Sequence, residues 1–135
     1  MRARTLLAAT LLVGVLLSGC STSSADLDAL RADPMATTAP AGFTSQSVAE
    51  DKGGVTFGMR NPASLLRTFH LPEPANALVE LDRDAQDAGW LVSVPLDLTK
   101  TPVGAYYVRT TDGRPLGLTL TWDGTDALAL NLSTP

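Results

Sequence analysis

The chain has 135 residues, with ten basic against fourteen acidic side chains, one histidine and one cysteine. An acidic chain of this length is a poor partner for the phosphates of nucleic acid, and it can build one hydrophobic core but not two. A single cysteine excludes an intrachain disulfide, and with a single histidine it leaves too few nitrogen and sulfur ligands for a structural zinc site.

Arg2 and Arg4 precede an almost unbroken apolar run from Leu6 to Leu17, and the run closes in Leu17-Ser18-Gly19-Cys20. It is too short to cross a bilayer core of roughly 30 Å as a helix, and it has the pattern of a secretory signal peptide. Its ending resembles the lipobox of bacterial lipoproteins at all four positions. The resemblance implies removal of residues 1–19 and acylation of Cys20, which would hold the chain to the lipid bilayer on the extracytoplasmic side of the cell membrane. Two or more acyl chains anchor stably where one is marginal. Residues 20–135 keep eight basic and fourteen acidic side chains, so lipid rather than charge would hold them at the membrane. In layout the chain is similar to small lipoproteins of high-GC bacteria, a likeness that carries over no active-site residues.

Ser21 to Gly42 is rich in Ser, Ala, Thr and Pro and reads as a tether, spanning roughly 25 Å as a flexible coil. The alternative is a strap in which Leu27, Leu30 and Met35 dock on the domain. The folded domain is expected from Phe43. Thr44 to Ala49 suits a first strand, Asp51-Lys52-Gly53-Gly54 a turn, Val55-Thr56-Phe57 a short strand, and Ser64 to Leu71 a stronger one closed by Pro72 and Pro74. Over 74–88 the stripe Leu78, Leu81, Ala85, Ala88 predicts the main helix, with Pro74 in its first turn and Gly89 just past its end. Trp90 to Leu98 reads as a strand whose Pro95 implies an edge or a bulge.

Three strands follow: 105–110, 116–122 and 127–132. Leu116, Leu118 and Leu120 share one face, as do Leu128, Leu130 and Leu132. In the preceding strand Tyr106 and Val108 are the apolar parity, since the other parity carries Arg109. Directly opposed residues share a face. A three-residue loop ending in a left-handed Gly113 would pair Val108 with Leu116 and Tyr106 with Leu118, and the same loop at Gly124 would pair Leu118 with Leu128. The expected fold is α+β: an antiparallel β-meander with the helix covering its apolar face. The expected divisions are a signal peptide over 1–19, the lipidated Cys20 with its tether over 20–42, and a single α+β domain over 43–135.

That register places Tyr107, Arg109, Thr119, Thr121 and Asn131 together on the polar face. A planar guanidinium beside an aromatic ring over hydroxyl residues suits a sugar, a peptide carboxylate or a protein surface, although polar alternation is also the norm for a solvated sheet face. Glu80, Asp84 and Asp87 form an acidic ridge on the helix, readable as a solvated face or a cation contact, but Asp82-x-Asp84 lacks the glycine and closing glutamate of an EF-hand loop. His70 could serve a catalytic triad, yet no Gly-x-Ser-x-Gly elbow or phosphate-binding glycine loop is present. Trp90 and Trp122 border glycine turns, where an indole caps a core more readily than it forms a stacking platform.

The sequence thus points to a membrane-anchored lipoprotein with no cofactor and no metal. It reads as a non-enzymatic module contacting an envelope protein partner; alternatives are a small-ligand module for a glycan, peptide or lipid, and a carboxylate-based hydrolase.

Overall fold

The computed structural model describes residues 24–135, so the expected signal peptide over 1–19 and the expected lipidation site Cys20 lie outside the described residues. Within them the protein is a mixed α+β structure, rich in antiparallel strands, with two α-helices. The elements are α1 (Ala25–Ala32), a 3-10 turn (Pro34–Ala36), β1 (Ser45–Asp51), β2 (Gly54–Thr56), β3 (Met59–Asn61), β4 (Ser64–His70), α2 (Pro74–Asp87), β5 (Leu91–Val94), β6 (Val103–Thr111), β7 (Arg114–Trp122) and β8 (Ala127–Ser133). Six strands form one sheet in the order β1-β4-β8-β7-β6-β5, and β2 and β3 form a separate hairpin.

The segment expected to be a tether is folded from Ser24 onward, and the strap alternative is the one the structure takes. Ser24 caps α1 by accepting a hydrogen bond from the Leu27 amide. Asp33 ends the helix before Pro34 and accepts from the Met35 amide. Leu27, Leu30 and Met35 are all buried. A flexible coil would leave three large apolar side chains in water, and burying each contributes about 1.5–3 kcal/mol.

Four ionic or polar clamps hold the strap. Arg31 pairs with Glu50 of β1 at 2.5 Å. Asp26 accepts from Arg114 at 2.8 Å and from Arg60 at 3.1 Å. Asp33 accepts from Arg109 at 3.1 Å. The buried Arg67 donates to the carbonyls of Met35 and Thr38, to the Gln46 side chain, and lies 4.8 Å from the centre of the Phe69 ring.

α2 follows the expectation closely. Beyond Ala88, Gly89 at φ +89° turns the chain so that the Trp90 amide donates to Ala85 and the Gly89 amide to Gln86. These are the paired bonds of a Schellman stop. Ala77, Leu78, Leu81 and Ala85 belong to one buried cluster with Leu65, Phe69, Tyr107, Leu116, Leu118, Leu120, Leu128, Leu130, Leu132 and the strap residues.

The meander departs from the expected register. Asp112 and Gly113, at φ +52° and +71°, form a two-residue loop that pairs Thr111 with Arg114 and Arg109 with Leu116. Two positive φ values are what a type I′ turn requires, and its twist suits the strands on either side. Tyr107 and Arg109 therefore face the core, opposite Leu118 and Leu116, while Tyr106 and Val108 face outward. At the second hairpin four residues, Asp123–Asp126, connect the strands, and Leu118 pairs with Leu132 rather than Leu128. The leucine faces still match, because the shift in partner is an even number of residues.

Candidate functional site

The outward face of the large sheet is built by alternation. Every second residue from β1 to β5 points away from the buried cluster, and the pairing aligns these residues in rows across the sheet. One row runs Ala49, Leu66, Asn131, Thr119, Tyr106, Val94 through all six strands. A second runs Ser64, Ser133, Gly117, Val108, Leu91. A third contains Thr68, Ala129, Thr121 and Gly104. The centre of the face is hydroxyl and amide, and the β5–β6 corner is apolar.

At that corner Leu91, Val94, Tyr106 and Val108 are all exposed. Gly117 makes a depression beneath Tyr106: a Cβ placed there would lie 2.9 Å from the Tyr106 hydroxyl. The resulting groove has a volume of about 210 Å³ and is lined by Leu91, Tyr106, Val108, Pro115, Gly117 and Ser133, among others. Sites for drug-sized ligands usually measure 300–1,000 Å³. β5 is a short edge strand with an irregularity between Val92 and Val94, a shape that discourages uncontrolled strand addition.

Of the five residues expected to share the binding face, Thr119, Thr121 and Asn131 do, in adjacent rows. Tyr107 and Arg109 do not. Tyr107 is fully buried and its hydroxyl donates to the Asp82 carboxylate of α2 at 2.5 Å. Burial first, and then the bond to Asp82, pushes that hydroxyl well above the ordinary tyrosine range. Arg109 reaches the nearly inaccessible Asp33 carboxylate, which also accepts from the Trp90 indole at 3.2 Å. Both side chains are amphipathic, so parity alone assigned them wrongly: each places its polar end on an acid supplied by a distant element. Gly117 lies on the outward face, as the leucine alternation of its strand requires. Tyr106, Val108 and Leu91 were the residues missed, and the Asp112-Gly113 dipeptide, a strong two-residue hairpin signal, was the clue to them.

The other candidates are dispersed. Glu80 accepts from the Ala41 amide, and Asp82, between the ridge acids in sequence, is engaged by Tyr107 and Gln86. Among the described residues no group of three His, Cys, Asp or Glu side chains is placed to hold a metal. His70 is exposed on the outward face, 3.7 Å from Asp126. Trp90 is buried, and the Trp122 indole donates to the Thr125 carbonyl at 2.5 Å. The carboxyl groups that move clearly all move downward: Glu50 beside Arg31, Asp97 through its bonds from Thr99, and Asp123 through its bonds from Thr125. A general acid for glycoside cleavage needs the opposite displacement.

A second concavity, of about 270 Å³, lies between α1 and the tip of the β6–β7 hairpin. Ala25, Ala29, Asp33 and Pro34 form one wall, and Arg109, Thr111, Asp112 and Arg114 line the other, so its two guanidinium groups are matched by two carboxylates. The Thr111 hydroxyl is buried there with no hydrogen-bond partner.

No helix among the described residues is long and apolar enough to cross a membrane. Comparison with protein-family models, with curated proteins and with solved structures found no match.

Proposed function

We propose that this protein is a lipid-anchored module of the bacterial cell envelope, attached through acylated Cys20, that binds another envelope protein on the outward face of its sheet. The observation that carries the binding surface is the exposed apolar corner of Leu91, Val94, Tyr106 and Val108 beside a hydroxyl and amide centre. An apolar patch with a polar surround is the usual anatomy of a protein contact. α2 is taken as the cover of the sheet's other face, consistent with its buried leucines and the Asp82–Tyr107 bond, which leaves the outward face as the available one. The shallow groove favours a partner surface over an enclosed ligand. The downward displacement of Glu50, Asp97 and Asp123 gives no support to a carboxylate hydrolase, and the module is read as non-enzymatic.

In-cell crosslinking of the native protein, followed by mass spectrometry, tests this. One reproducible envelope protein is expected, lost when Val108→Glu places a charge in the corner while the thermal melt is unchanged. Recovery of the same partner at the same yield from Val108→Glu would refute the assignment of the face. Cys20→Ala is expected to release the protein from membranes, and undiminished retention would refute the anchor.

A further inference from the structure

We infer that the β2–β3 hairpin is a second membrane contact, which inserts its apolar tip into the lipid surface beside the acylated N-terminus; the inference rests on the lipid-anchor reading of Cys20. Every residue from Gly54 to Pro62 is exposed. At the tip, Phe57 is 98% exposed, with Val55 at 73% and Met59 at 68% on its two flanks. The turn is Phe57-Gly58, with φ of +51° and +77°. An aromatic residue at positive φ is disfavoured where Asn, Asp or Gly would be relaxed. Nothing inside the domain compensates, since the ring packs on nothing.

The hairpin is nevertheless built rather than loose. Asn61 donates to the Thr56 hydroxyl at 2.7 Å, the Gly53 amide donates to Asp51 at 2.8 Å, and the backbone at Gly53 lies so close to residues 61–63 that a Cβ there would sit 2.7 Å from the Ala63 nitrogen. A rigid support thus presents a strained, water-exposed phenylalanine.

Its position relative to the anchor selects the occupant. The Ser24 hydroxyl, where the described chain begins, donates to the Lys52 carbonyl at the hairpin base at 2.7 Å, and Arg60 of β3 pairs with Asp26 of α1 at 3.1 Å. Cys20 is four residues before Ser24, a reach of at most about 14 Å. Acyl chains on Cys20 therefore bring the bilayer surface to the side of the domain that carries Val55, Phe57 and Met59. Lipid is the apolar phase within reach, and a phenylalanine at an interface needs no complementary pocket.

The test uses the full chain with its native processing, reconstituted in phosphatidylcholine vesicles. Acylation consumes the Cys20 thiol, so Phe57→Cys or Asp126→Cys carries the sole free thiol for an environment-sensitive fluorophore. Asp126 neighbours His70, at the other end of β4 and roughly 20 Å from the hairpin base. The probe at 57 is expected to shift to the blue, to be quenched by nitroxides on the lipid chains and to be shielded from aqueous iodide; the probe at 126 is expected to behave oppositely. Equal iodide quenching at both positions, in protein whose N-terminal mass carries the acyl groups, overturns the hairpin contact and leaves the anchor standing. An unmodified Cys20 in the same material overturns the anchor and the hairpin contact together. In cells, benzoylphenylalanine at position 57 is expected to crosslink to lipid, and a discrete protein adduct in its place would overturn the choice of lipid.

Discussion

The guanidinium of Arg109 lies 3.1 Å from the Asp33 carboxylate, joining the sheet to a strap 76 residues earlier in the chain. The other oxygen of Asp33 takes the Met35 amide and the Trp90 indole, so one buried side chain ties together the strap, the segment after α2 and the central sheet.

Asp33→Ala should therefore be the most disruptive polar substitution in the domain. It leaves a partly exposed guanidinium without its counter-charge and two buried donors, the Met35 amide and the Trp90 indole, without an acceptor, and a loss of about 2–3 kcal/mol is expected. Urea unfolding measures it. A loss below about 1 kcal/mol would mean that the strap is not held through this carboxylate.

Tyr107 makes stability depend on alkaline pH. Its folded-state value is raised above the ordinary 10.0, by burial and by Asp82. The folded protein keeps a proton that the unfolded chain sheds, so the contribution is complete below about pH 10 and declines as pH rises further, by up to about 1.4 kcal/mol per pH unit. Urea midpoints measured from about pH 9 to 11 should fall less steeply in Tyr107→Phe than in the natural chain. Identical slopes would place the hydroxyl in water.

The Asp112-Gly113 turn gives opposite outcomes for two substitutions at one site. Asp112 is at φ +52°, where a β-branched residue is strained. Asp112→Val should cost roughly 1–2 kcal/mol, whereas Asp112→Asn should be neutral or slightly stabilising. Thermal melts of the pair check the two-residue loop directly, since a three-residue bulge would place the positive φ at Gly113 alone.

Gly117→Ala separates surface from stability. Its added carbon would press on the Tyr106 ring, which is partly exposed and free to swing outward. Folding stability should change by less than about 1 kcal/mol, while the groove beneath the ring closes. Loss of crosslinked partner at unchanged melting temperature is the expected result, and unchanged partner yield would move the contact away from this corner.

The leucine faces of β7 and β8, the helix over 74–88 and the edge character of the strand before Pro95 were all legible in the chain, because each follows from alternation, helical spacing or proline and glycine chemistry within a few residues. The face of β6 was not legible. Tyr106-Tyr107-Val108-Arg109 offers apolar atoms on both parities, and what chooses between them is where the Tyr107 hydroxyl and the Arg109 guanidinium find acids. Those acids are Asp82 and Asp33, which belong to α2 and the strap. The candidate site was legible to the same extent: Gly117, Thr119, Thr121 and Asn131 followed from the leucine alternation, whereas Tyr106 and Val108 depended on the β6 register.

By itself the sequence determined what is local: the strand and helix periods, and the turn residues that permit positive φ. The tertiary structure decided what depends on partners far along the chain. It docked Leu27, Leu30 and Met35 into the core, turned Tyr107 and Arg109 inward, and set the Phe57 hairpin beside the point where the chain enters the domain. The physical reason is that burial and charge pairing are satisfied in space, and an amphipathic side chain takes whichever face supplies both an apolar wall and a partner for its polar end.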